Sequence, residues 1–130
     1  MYAEELIQSY EHPLHKGVIE NPTLERHEEN ISCGDKITVY IKLENDKVTD
    51  IKFNGLGCVI SMGSADILIE KLKGKKIKDI EKLNKEDLLK IIGIDPGPVR
   101  MHCATLSLRA IKKALFEHEK KEPDKETKEL

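Results

Sequence analysis

The chain has 130 residues, of which 38% are hydrophobic and 35% charged, with a net charge of -2. That length suits one domain with a real core and is short for two, and a near-neutral balance without basic residues interleaved with aromatics gives no support for a nucleic-acid partner. The opening residues, Met1-Tyr2-Ala3-Glu4-Glu5, are acidic rather than signal-like and no apolar run is long enough to span a bilayer, so a cytoplasmic protein with no membrane partner is expected.

Taken in chain order, Tyr2, Leu6, Ile7 and Tyr10 recur at near-helical intervals over residues 2–11, and the His12-Pro13 step ends that helix. Residues 14–29 are polar and irregular, with Gly17 and Asn21-Pro22, and read as a loop with room for one edge strand. Residues 36–43 and 48–53 alternate apolar and polar around the turn Glu44-Asn45-Asp46-Lys47, which predicts a β-hairpin. Ile37, Val39, Ile41 and Leu43 share one face. If the strand extends back without a bulge, Cys33 and Asp35 fall in phase with them, on the core side at its mouth.

Residues 59–72 carry apolar positions at helical spacing, with Ser61, Gly63, Ser64 and Ala65 small enough for other elements to come close and Gly74 as the stop. Ile77-Lys78-Asp79-Ile80 is a connecting piece. Asn84 caps a helix over 85–92 that Gly93 closes. Pro96-Gly97-Pro98 is expected outside any helix, and the last helix is expected from Met101 to Phe116 with a broad apolar stripe. From Glu117 onward Glu and Lys dominate without apolar periodicity, so the predicted division is a single domain over 1–118 and a charged, disordered tail over 119–130.

Three cysteines are an odd number, and in a reducing compartment reactive or metal-bound thiols explain them better than disulfides. No two lie within a few residues of each other, so zinc-finger spacing is absent. Their surroundings are more informative. Cys33 stands two residues before Asp35 with Gly34 between them. Cys58 closes Asn54-Gly55-Leu56-Gly57 at a helix start, where the helix dipole lowers a thiol's pKa, and Cys103 is expected in the same position with His102 directly before it. The candidate ligands are therefore Cys33, Asp35, Cys58, His102 and Cys103. A lone cysteine is as readily a small core residue, but three beside glycines or element ends are better explained as a set. His12, His15, His27 and His118 lack such neighbours and read as solvated or helix-end residues. Gly55 and Gly57 belong to neither a dinucleotide fingerprint nor a phosphate loop and suit close backbone approach to a metal. A tetrahedral zinc site built from the three cysteines and Asp35 or His102 stays open. An enzyme with a cysteine nucleophile has less support, because no cysteine has a His and carboxylate pair outside this group.

Four segments, Tyr10-Glu11-His12-Pro13 with Gly17, Cys33-Gly34-Asp35, Gly55-Leu56-Gly57-Cys58 with Ser61 and Ser64, and Val99-Arg100-Met101-His102-Cys103-Ala104, span nearly the whole chain. Together they resemble the iron-sulfur cluster assembly scaffolds of the IscU/NifU N-terminal type. The resemblance implies an α+β fold in which a small antiparallel β-sheet packs against several helices (SufE/NifU-like, IscU fold), with the three cysteines meeting at one exposed end beside Asp35 and His102. It also implies a scaffold without turnover of its own. A cysteine desulfurase of the IscS/NifS kind delivers persulfide sulfur, iron joins it, and a [2Fe-2S] cluster is built and passed to apo-proteins. Three thiolates leave such a cluster one ligand short, so Asp35 or His102 completes it, and zinc is the alternative occupant of the apo or resting form. Cys103 is expected to accept the sulfur, with Cys33 on its loop as the competitor. An exposed cluster edge leaves room for a homodimer. The Leu-Pro-Pro-Val-Lys segment that an Hsp70-type chaperone grips in bacterial relatives stands here as Pro96-Gly97-Pro98-Val99-Arg100, which counts against a chaperone partner. The zinc-dependent, sulfur-accepting SufU branch carries an insertion between its second and third cysteines and lacks the histidine; this chain has neither feature.

Overall fold

The structure is a computed structural model that describes residues 4–128 and 130; Tyr2, expected in the first helix, lies outside the described residues. Helix α1 (Glu4–Glu11) leads through a loop to strands β1 (Leu24–Asn30), β2 (Asp35–Glu44) and β3 (Lys47–Leu56), which form one antiparallel sheet in the order β1-β2-β3. Helices α2 (Val59–Leu72), α3 (Ile77–Glu81), α4 (Lys85–Ile92), α5 (Gly97–His118) and α6 (Lys125–Lys128) follow. The fold is α+β. Among the described residues no helix is long and apolar enough to cross a membrane.

The hairpin forms as its alternation dictates. Ile37, Val39 and Ile41 on β2, with Val48, Ile51 and Phe53 on β3, are buried on one face, where each large aliphatic removed from water contributes about 1.5–3 kcal/mol. Asn45 and Asp46 both take positive φ, 50 and 63 degrees, the backbone a tight two-residue hairpin turn demands. A bulge between Lys42 and Leu43 accommodates it. Helix α2, buried on almost every side, crosses this face beside α5. Gly63 makes room for α1: a Cβ there would stand 2.7 Å from the Leu6 carbonyl oxygen.

Strand β1 has the composition of a loop, Leu-Glu-Arg-His-Glu-Glu-Asn, and is held by ions rather than hydrocarbon. Glu28, on its covered side, receives Arg26 Nη2 at 3.0 Å, Lys113 Nζ at 3.4 Å and Arg109 Nε at 3.5 Å, the last two from α5. The edge strand is thus charged, which disfavours pairing with a second sheet. His15, expected to be solvated, is buried instead. Its backbone N–H donates to Asp66 Oδ1 at 2.8 Å and its ring meets Glu70, because the loop after α1 runs along β3, with Phe53 N donating to His15 O at 3.0 Å.

The expected start of the last helix is corrected. Helix α5 starts at Gly97, so Pro98 sits in its first turn, where the missing proline N–H would have had no helical partner in any case. Among the described residues beyond 118, α6 seats Thr127 and Leu130 in buried positions and covers Lys112, whose ammonium group is fully buried, donates to the Leu83 carbonyl and lies 3.8 Å from Asp124. A buried lysine needs such partners, and the charged tail supplies one. Helix α4 is closed as expected, by a reciprocal capping box between Asn84 and Asp87 and by Gly93 at φ 75 degrees.

Candidate metal centre

Strand β1 ends at Asn30 and β2 begins at Asp35, its partner across the ladder, so Ile31, Ser32, Cys33 and Gly34 form the turn between them. Gly34 takes φ 79 degrees and its N–H donates to the Asn30 carbonyl at 2.8 Å, a conformation that favours glycine. Cys33 therefore does not continue the strand in phase with Asp35. It stands exposed on the turn while Asp35 starts the strand and points inward, 6% exposed. The turn nonetheless carries Cys33 over Asp35, by curvature instead of pleat.

Cys58 is the N-cap residue of α2, half-buried, with extended backbone. Its thiol donates to Asp35 Oδ2 at 3.7 Å and lies 3.7 Å from Ser61 Oγ. Gly57 before it is forced by space: a Cβ would come within 2.3 Å of Ser61 Oγ and 3.3 Å of Asp35 Cγ. Cys103 comes from α5, in its second turn rather than at its start, and is 4% exposed. Burial above all, then the hydrogen bond with Cys33 and the negative charges of Cys58, Cys33 and Asp35, push the Cys103 thiol well above the usual thiol range. The activating position at a helix start, expected for Cys103 from the prolines before it, is not where it lies.

The ligand atoms of Cys33, Asp35 and Cys103 lie within 4.8 Å of one another, with Cys33 Sγ and Cys103 Sγ 3.4 Å apart. Cys58 joins them through Asp35. His102 does not belong to that close group: it is exposed on α5 next to Cys103. Two soft thiolates and a carboxylate within reach of one another, with a third thiolate alongside, are a donor set for zinc or for iron in an iron-sulfur centre. The structure adds Asn30, which the sequence reading passed over. Its side-chain amide donates to Cys103 Sγ at 3.7 Å, and its only linear signal is its place three residues before Cys33.

The family model described as NifU-like N terminal domain matches residues 1–125. The chain is 34% identical over 131 residues to the iron-sulfur cluster assembly scaffold protein IscU of Thermotoga maritima, covering 88% of this chain and 92% of that one. It is 32% identical to the zinc-dependent sulfurtransferase SufU of Bacillus subtilis, covering 92% of each. A crystal structure from Fervidobacterium islandicum, described as an iron-sulfur cluster assembly scaffold protein for the SUF system, superimposes with a TM-score of 0.71 at 29% identity, covering 88% of this chain and 96% of that one.

Proposed function

The chain belongs to the NifU-like N-terminal domain family, and from that premise we propose that it is a scaffold on which a [2Fe-2S] cluster is assembled and then handed to apo-proteins. The observation that carries this reading is the convergence of Cys33, Asp35 and Cys103 within 4.8 Å, with Cys58 hydrogen-bonded to the same carboxylate. Cys33, Cys58 and Cys103 would supply the thiolates and Asp35 the fourth donor. Its inward position beside all three cysteines favours it over the exposed His102. A carboxylate oxygen is a harder and more exchangeable donor for iron than a thiolate, which suits a cluster meant to leave.

Sulfur enters as persulfide from a cysteine desulfurase. The exposed Cys33 is the thiol such a partner reaches first. Its thiolate attacks the outer sulfur, which transfers with its proton while the desulfurase cysteine leaves as a thiolate. The sulfur can then pass to the buried Cys103, 3.4 Å away, with the Cys103 thiol proton going to the Cys33 sulfur as that sulfur leaves. The protein's part is to hold and release, without turnover of its own.

Anaerobic reconstitution with ferrous iron and sulfide tests the reading. A brown protein with the visible charge-transfer bands of a [2Fe-2S] centre, holding two iron and two sulfide per cluster, is expected. The likeness to SufU favours a second reading, a zinc-bound sulfur acceptor. A colourless protein that retains one tightly bound zinc and takes up no iron would establish that reading in place of the first.

A further inference from the structure

We propose that Asn30 is a positioning residue of the cysteine centre, its amide N–H bonded to the Cys103 sulfur and its two oxygens fixing the turn that carries Cys33. This role rests on the scaffold reading above and deepens it. Asn30 is the last residue of β1, 7% exposed. Its backbone carbonyl accepts from Gly34 N at 2.8 Å and its side-chain Oδ1 accepts from Ser32 N at 3.3 Å, so both oxygens are spent inside the turn. That contact also settles which end of the amide faces the sulfur. With Oδ1 committed to Ser32, the nitrogen points to Cys103 Sγ at 3.7 Å.

The contact is braced from behind. Arg109, on α5 with Cys103, donates from Nη2 to the Glu29 carbonyl at 2.7 Å, so the end of β1 and the helix bearing the sulfur are tied together one residue away from Asn30. A nearly buried N–H aimed at a metal-bound thiolate withdraws charge from the sulfur and favours the more reduced, more negative state of a cluster. One side chain thus sets the charge on one sulfur and the place of the other.

The test uses the reconstituted holoprotein and Asn30→Asp, which keeps the shape and the oxygen that Ser32 needs but replaces the donor with a negative charge. The expected result is an unchanged circular-dichroism spectrum and denaturation midpoint, a reduction potential shifted to more negative values, and loss of the cluster to a chelator about 10–100-fold faster, the range seen when groups that orient metal ligands are removed. An identical potential in a folded variant overturns the proposal. Should the variant not fold, NMR on the wild-type chain decides. Loading with Cd2+ as probe is expected to move the Asn30 side-chain amide protons downfield and leave those of the exposed Asn54 in place; an unmoved Asn30 amide overturns the proposal. A wild-type chain that takes up Cd2+ but builds no cluster refutes the scaffold reading, while the Asn30 amide still reports on its own contact.

Discussion

Glu81 on α3 and Glu119, just past α5, bring two carboxyl groups together under the C-terminal segment, near Lys121 and Asp124. Burial first, then the hydrogen bond and the charge of Glu119, push the Glu81 carboxyl up from 4.5 to about 7. The folded chain therefore holds a proton that the unfolded chain has released. Stability from this group is fully present below pH 4.5, falls steadily as pH rises to 7, and falls no further above. Each pKa unit is worth ~1.4 kcal/mol, so the whole shift amounts to on the order of 3 kcal/mol. Glu81→Gln removes the titration and leaves an amide N–H where the acid O–H was. Urea denaturation of both proteins from pH 4.5 to 8 should show the variant no more stable than wild type at the acid end and more stable by up to that amount at pH 8. Glu119 titrates together with Glu81 and the remaining groups are common to both proteins, so the difference between the curves reports the pair. Parallel curves would refute the shared-proton arrangement, and so would a wild type that gains on the variant as pH rises.

Three further outcomes are expected. Gly63→Ala should cost about 1–3 kcal/mol in chemical denaturation, because its Cβ would press on the Leu6 carbonyl and push α1 off α2; an unchanged midpoint would mean that α1 is not seated there. In the reduced apoprotein, limiting iodoacetamide should label the exposed Cys33 well before the buried, high-pKa Cys103, as peptide mass spectrometry would show, and equal labelling would contradict the burial of Cys103. Asp35→Ala should slow cluster transfer from the reconstituted protein to an apo-ferredoxin severalfold, since the exchangeable corner is lost, and faster transfer would count against Asp35 as the labile ligand.

What the sequence showed plainly were the elements whose burial follows a period: the hairpin, α2 and the Asn84-capped α4. It left room for an edge strand within 14–29 but set no bounds for β1, because a strand held by Arg26, Glu28, Arg109 and Lys113 has no apolar alternation to see, and Arg109 and Lys113 lie far along the chain. The segment beyond 118 is hard to read for the same reason. Its lysines and glutamates look like solvated sequence until the buried Lys112 gives Asp124 something to neutralise. At the metal centre the residue types were legible and the geometry was not. Cys33 and Asp35 meet through a glycine turn rather than a shared strand face, and prolines read as a boundary in fact stand at the helix end, which moves Cys103 into its second turn.

The short separation of Cys33 and Cys103 has a practical corollary at the bench. A disulfide needs its sulfurs about 2 Å apart, and an exposed turn can close the remaining ~1 Å, so dioxygen taking two electrons and two protons from this pair would weld it shut. Such a molecule would migrate on a column like the intact one yet retain a single usable thiol. Free-thiol titration under argon, giving three for a competent sample, is the quality check this arrangement demands before any loading experiment is believed.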